Sequence, residues 1–172
     1  MQTFPLIGNY GFIDEDTEST QSAVSAYIVR EYCDAPSNFR CEYTLEQYLK
    51  DNNIVGVYDV DTREITKIIR EYGVMNAVIT DNPDNVDTEK LKAYSVQNAV
   101  KSVSCDKPYM RASDEHKYNV VLIDYGTKKN IVRELNKRGC NVAVVPYNTK
   151  AEDILSLNPD GIMLSNGPGD PK

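Results

Sequence analysis

The chain has 172 residues, with 19 Lys and Arg against 26 Asp and Glu, for a formal net charge of −7. That acid excess excludes a nucleic-acid groove or a patch for anionic membranes as the organising feature, because both need clustered positive charge. Hydrophobic residues at 41% and charged residues at 26% fit a folded chain of one ordinary domain or two small ones.

The N-terminus, MQTFPLIGNYG, has no basic start followed by an apolar core, so it does not read as a signal peptide. No stretch approaches the ~18 to 20 apolar residues that cross a bilayer. Cys33, Cys41, Cys105 and Cys140 show neither C-x-x-C nor zinc-ligand spacing, and a single histidine, His116, cannot build a His-rich metal site. This pattern predicts a reduced, cytoplasmic, metal-free protein; disulfides in a secreted domain are the alternative.

Residues 23–30 lean towards a strand through Val24, Tyr27, Ile28 and Val29. Leu45, Tyr48 and Leu49 lie at i, i+3, i+4, and Thr44 with Gln47 has capping-box spacing, so a helix starts there. Asp61 and Glu64 open a second helix with an Ile65, Ile68, Ile69, Tyr72 stripe, stopped at Gly73. Residues 74–80 read as a strand, and Asp87 or Thr88 opens a third helix through Leu91 and Tyr94. Residues 104–117, SCDKPYMRASDEHK, are polar and aperiodic and read as a linker.

Beyond it, strand and helix alternate strictly. NVVLID (residues 119–124) is an apolar run expected of a strand buried on both faces. Tyr125, Gly126 and Thr127 turn the chain, and Thr127 is expected to cap a helix from Lys128 with Ile131, Val132 and Leu135 on it, ending at Gly139. NVAVV (141–145) is a second strand. Thr149 and Glu152 have capping-box spacing before Ile154, Leu155 and Leu157, and GIML (161–164) is a third strand. The βαβαβ order predicts parallel strands with right-handed crossovers. Three strands and two helices make half of a doubly wound domain, so one sheet face is expected to lack helices and expose an apolar surface that favours self-association.

The segment with most chemical content is Ser165-Asn166-Gly167-Pro168-Gly169-Asp170-Pro171. It follows the carboxyl end of a predicted parallel strand, where open α/β sheets bind ligands. Gly167 and Gly169 lack Cβ, so a ligand can approach the backbone closely and the N–H groups can face a cleft. Pro168 fixes its own φ and restricts Gly167 towards extended geometry. A stiff loop with aimed donors suits an oxyanion or a carboxylate. A tight turn with no ligand explains the same residues.

LSNGPGDP after a parallel strand resembles the glycine loop of class I glutamine amidotransferases. More narrowly, it resembles the small, glutamine-hydrolysing subunit family of carbamoyl phosphate synthetase. FPLIGNYG (4–11), SNFRCEYTLEQYLKDNNIVGV (37–57), DTREITKIIREYG (61–73) and IDYGTKKNIVRELNKRGC (123–140) resemble the same family in the same order. The resemblance implies an N-terminal domain (residues 1–103) that docks on a large synthetase subunit, a linker (104–117), and the first part of a glutamine amidotransferase domain (118–172). The fold implied is α/β: a mixed α+β domain followed by an incomplete doubly wound unit. The family hydrolyses L-glutamine and passes ammonia to the large subunit, where ATP, Mg²⁺ and bicarbonate enter carbamoyl phosphate synthesis for pyrimidines and arginine. No cofactor is expected on this chain. By position in the motif, Gly167 resembles the glycine whose N–H helps form the oxyanion hole, and Gly169 a second backbone contact to glutamine.

The family nucleophile is a cysteine in a G-x-C-x-G elbow, which this chain lacks, as it lacks the family's His and Glu partners; a glutamine-contacting serine is expected before Met1. The chain therefore reads as a central piece, inactive alone. Cys140 sits at the amino end of a strand, the wrong end for a ligand, and reads as structural. Cys33, Cys41 and Cys105 read likewise, and His116 as a solvated linker residue. Gly126-Thr127-Lys128 lacks the rest of a phosphate loop. Asp61 in Asp61-Thr62-Arg63 reads as a helix cap. Asp14, Glu15, Asp16 and Glu18 read as a solvated turn. Two other functions fit the residues: a pure subunit-docking module, and an unrelated α/β binder of an anion or small ligand.

Overall fold

The computed structural model describes residues 1–169. Asp170, Pro171 and Lys172, which include the end of the glycine heptapeptide, lie outside the described residues. The architecture is mixed α/β, in two compact units: Met1–Asp16 with Val24–Ser95, and Thr17–Ala23 with Val96–Lys172.

In the first unit, β1 (Leu6–Ile7), β2 (Ala26–Ile28) and β3 (Glu31–Tyr32) precede helix α1 (Leu45–Asp51), β4 (Val55–Val57), α2 (Thr62–Tyr72) and α3 (Thr88–Ala93). β1 pairs with β3 and β2 with β4, both parallel. Each helix starts on the cap its sequence offers. Thr44 Oγ1 accepts the Gln47 N–H at 3.2 Å, Asp61 Oδ1 that of Glu64 at 3.0 Å, and Asp87 Oδ1 that of Lys90 at 2.9 Å. Such caps satisfy donors the helix cannot, for about 1 kcal/mol each.

Two expectations for this unit need correction. Residues 74–80 form no strand; Val74, Met75, Val78 and Ile79 are exposed, and β-prone residues without a partner ladder do not hold an extended chain. The acidic run is not simply solvated. Asp14–Asp16 forms a 3₁₀ turn, Arg40 Nη2 reaches Asp16 at 3.0 Å and Glu15 at 3.3 Å, and the Tyr43 hydroxyl donates to Asp14 at 2.6 Å.

The second unit holds α4 (Ala99–Val103), β5 (Tyr109–Arg111), β6 (Tyr118–Asp124), α5 (Lys129–Lys137), β7 (Cys140–Pro146), α6 (Ala151–Ser156) and β8 (Gly161–Leu164). The sheet order is β5-β7-β6-β8, with β6 parallel to both neighbours and β5 antiparallel at the edge. Segment 104–117, expected to be aperiodic, thus supplies a strand: Tyr109 pairs with Val144 and Arg111 with Val142.

Side chains alternate between the two sheet faces. Leu122, Val142 and Val144 form one core with Val132, Ile131 and Leu135 of α5, while Val121 and Val145 form another with Ile154 of α6. Each face therefore carries a helix, contrary to the expected bare face; β7 lies on one side of β6 and β8 on the other, so the two crossovers cover opposite faces. β8 still carries exposed apolar side chains: Ile162, Met163 and Leu164 are all exposed. Thr127 and Thr149 do not cap their helices. α5 begins after Lys128 and α6 after Lys150, neither with a side-chain cap bond of its own, and Thr149 Oγ1 donates instead to the Pro146 carbonyl at 2.8 Å.

Candidate functional site

Because β6 and β8 are parallel neighbours, the connections leaving their carboxyl ends emerge together. One is Asp124 to Lys128, the other Ser165 to Gly169. Ser165, 8% exposed, joins them. Its N–H donates to the Ile123 carbonyl at 3.2 Å, and its Oγ accepts the Tyr125 N–H at 2.9 Å while donating to the Asn166 carbonyl at 2.9 Å.

Asp124 is 6% exposed and organises the first connection. Oδ1 accepts the N–H groups of Gly126 (2.9 Å) and Thr127 (2.7 Å), and Oδ2 accepts that of Cys105 (2.8 Å). Burial pushes its pKa up, but the amide donors outweigh burial, and the carboxyl titrates below its ordinary 3.8. The carboxylate is thus a fixed anion holding a turn, with its lone pairs directed inward.

Gly167 rests on that turn. A Cβ there would overlap the Tyr125 carbonyl oxygen and stand 2.8 Å from the Tyr125 Cβ, so no other residue fits without displacing the loop. Gly169 has φ +103°, a conformation that side chains rarely adopt, and nothing stands within 4 Å of where its Cβ would be. Both residues are exposed, and neither N–H is donated to another group among the described residues. Two unspent amide donors on a stiff loop can receive a carbonyl oxygen, an oxyanion or a carboxylate.

The other sequence candidates fall elsewhere or are chemically muted. Cys105 lies at this edge, beside Asp124, but burial and then the Asp124 charge push its thiol up to about 11, so it is not an activated nucleophile. Cys140 is buried at the start of β7, in the core under α5. Cys33 and Cys41 belong to the first unit, their thiols directed at the carbonyls of Ala35 and Tyr43. His116 Nε2 lies 3.0 Å from Asn119 Oδ1, at the amino end of β6 and away from the glycines. Among the described residues no His, Cys, Asp or Glu group is arranged for a metal, and no helix is long and apolar enough to cross a membrane. Asp124, Tyr125 and Ser165 were not singled out by their residue types; the available signal was an acid and a hydroxyl, each closing an apolar strand and followed within two residues by glycine.

The comparisons with known proteins agree with this order of parts. The family described as carbamoyl-phosphate synthase small chain, CPSase domain, matches residues 1–79, and the glutamine amidotransferase class-I family matches residues 121–172. Carbamoyl phosphate synthase small chains from Clostridium perfringens, Bacillus anthracis and Staphylococcus epidermidis are 48%, 52% and 51% identical to it. These alignments cover 99%, 99% and 98% of this chain, and 49%, 47% and 46% of the relatives. The chain spans about half the length of the curated relatives it matches.

Proposed function

Since this chain belongs to the carbamoyl-phosphate synthase small-chain family, we propose that it supplies the subunit-docking part and one wall of the glutamine site of an enzyme that hydrolyses L-glutamine and hands ammonia to a large synthase subunit. ATP and Mg²⁺ belong, on this reading, to the large subunit, and the carbamoyl phosphate formed there serves pyrimidine and arginine synthesis. The observation that carries the proposal is the pair of unspent amides at Gly167 and Gly169, on a loop at the carboxyl end of parallel strands. In acyl transfer from glutamine, the carboxamide oxygen gains negative charge as the tetrahedral intermediate forms. The Gly167 N–H is assigned to that oxygen, and the Gly169 N–H to a second contact with glutamine. One preorganised donor of this kind is worth ~10²–10³ in rate.

The 172-residue chain is assigned no turnover of its own. Covalent catalysis needs a nucleophile beside a base, and Cys105, the thiol at this edge, is held protonated. The test has two arms. The purified chain is incubated with glutamine and ammonia is measured; none is expected. The chain is then offered to the large subunit in a pull-down, and binding is expected. Ammonia release abolished by thiol alkylation would refute the first assignment, and failure to bind would refute the second.

A further inference from the structure

α5 begins without a cap from its own sequence. Lys128, at the cap position, offers no side-chain acceptor, yet the first two amides of the helix are satisfied. Both bonds come from Glu18, more than a hundred residues earlier. The Glu18 carbonyl accepts the Lys129 N–H at 2.9 Å, and Glu18 Oε2 accepts the Asn130 N–H at 2.9 Å. Glu18 Oε1 lies 3.8 Å from Arg133 Nη1, one turn along the helix, and Lys129 Nζ donates to Thr17 Oγ1 at 3.2 Å. Further along the same segment, Gln21 Nε2 donates to the Ser102 carbonyl at 3.3 Å. The segment Thr17–Ala23 accordingly belongs to the second unit. A carboxylate at a helix N-terminus also meets the positive end of the helix dipole.

Donor by donor, the chain from Tyr125 to Ile131 is held from three separate places. Ser165 takes the Tyr125 amide, Asp124 takes those of Gly126 and Thr127, and Glu18 takes those of Lys129 and Asn130. The Ile131 N–H returns to the Lys128 carbonyl at 3.0 Å. Gly167 is seated on the Tyr125 end of this connection. A shift of the α5 end therefore moves the surface on which the Gly167 backbone rests.

We propose that Glu18 is a positioning residue: it anchors the start of α5, and through the connection from Tyr125 to Lys128 it sets where the Gly167 amide points. Its catalytic meaning rests on the glutamine-site reading above, but its structural content does not, and the test reads the structure alone. In the 172-residue chain labelled with ¹⁵N, Glu18→Ala removes the side-chain acceptor and Glu18→Gln restores an uncharged one. Exchange of the Asn130 amide is expected to quicken roughly two- to thirty-fold in Glu18→Ala, the range of lost N-caps. The resonances of Gly126, Thr127 and Gly167 are expected to move, while those of residues 142–145 in the central core stay in place. Glu18→Gln is expected to return the Gly167 resonance most of the way. Glu134→Ala, which removes ion pairs to Lys137 and Arg138 at the far end of the same helix, is the control and is expected to leave Gly167 unmoved. An unmoved Gly167 resonance in Glu18→Ala overturns the proposal, as does an equal displacement in Glu134→Ala or a loss of protection spread evenly over residues 118–146. Each outcome is independent of whether glutamine is the ligand.

Discussion

Gly167 has no room for a side chain because the carbonyl of Tyr125 occupies the place where one would start. The obstacle is backbone, so a rotamer change cannot relieve it. Gly167→Ala is therefore expected to destabilise the second unit by about 1–3 kcal/mol, the cost of forced overpacking. Urea titration monitored by signals from residues 118–164 measures it. Gly161→Ala is the comparison: nothing stands within 4 Å of that Cβ, and Gly161 lies in β8, so the change is expected to be neutral or slightly stabilising. Equal losses for both variants would remove the steric account.

Asp124 gives the site an acid dependence. Its folded pKa lies below the ordinary 3.8, because three amides donate to the carboxylate despite its burial. A carboxyl depressed in this way stabilises the fold above its unfolded pKa, and loses that contribution as pH falls through the folded value. Stability of the second unit should thus be insensitive to Asp124 near neutrality and decline below about pH 4. Asp124→Asn should cost roughly 1–3 kcal/mol at pH 7, since one amide end must face a donor where Oδ2 accepted the Cys105 N–H. It should also flatten the acid limb. A melting-temperature series from pH 7 to 3 on both proteins tests this; parallel acid limbs would contradict it.

The three helices of the first unit with Thr or Asp caps were legible, because a cap and its helix lie within a few residues of each other. Thr44, Asp61 and Asp87 show this. So were β2 and the three parallel strands of the second unit, while the short β1, β3 and β4 were not. What the sequence hid was long-range. The cap of α5 is Glu18, and no local rule connects it with Lys129. Thr127 looked like the cap, but its amide is drawn back to Asp124, and the helix begins at Lys129, one residue later than expected. β5 was hidden in a polar stretch because an edge strand needs only one face and one neighbour, so Tyr109–Arg111 shows no apolar run. Residues 74–80 show the converse error, a run of β-prone and apolar residues with no ladder to join. The glycine loop was legible as a motif. Its seat on Tyr125 and its fastening by Ser165 were not, since both depend on β8 lying beside β6.

The Cys105 thiol should be slow to react. Cys105 has a pKa pushed from 9.0 up to about 11 by burial and the neighbouring Asp124. At pH 8 its thiolate fraction is then roughly a hundredfold below that of an unperturbed cysteine, and alkylation, which consumes thiolate, should slow in proportion. Iodoacetamide labelling followed by peptide mass analysis should show Cys105 lagging an unstructured cysteine peptide by about that factor. Asp124→Asn should speed it by removing the adjacent charge. Labelling of native Cys105 at the peptide rate would show that the thiol is neither buried nor facing the carboxylate as described.

The exposed β8 edge should govern the solution behaviour of the 172-residue chain. Ile162 and Leu164 are 51% and 61% exposed, and their pairing with Val121 and Ile123 puts them on the sheet face that carries α6, where Leu155 is 62% exposed as well. An apolar parallel strand with a free edge is a template for association. Sedimentation velocity should show assembly that grows with protein concentration. Ile162→Lys should suppress it, since a charge on the exposed edge blocks strand addition. Because the side chain is already half in water, unfolding free energy should change by no more than about 0.5 kcal/mol. A position off the strand supplies the control: a charge at the exposed Leu157, at the end of α6, should reduce association much less. If Leu157→Lys and Ile162→Lys act equally, the association comes from general hydrophobicity and not from the strand edge.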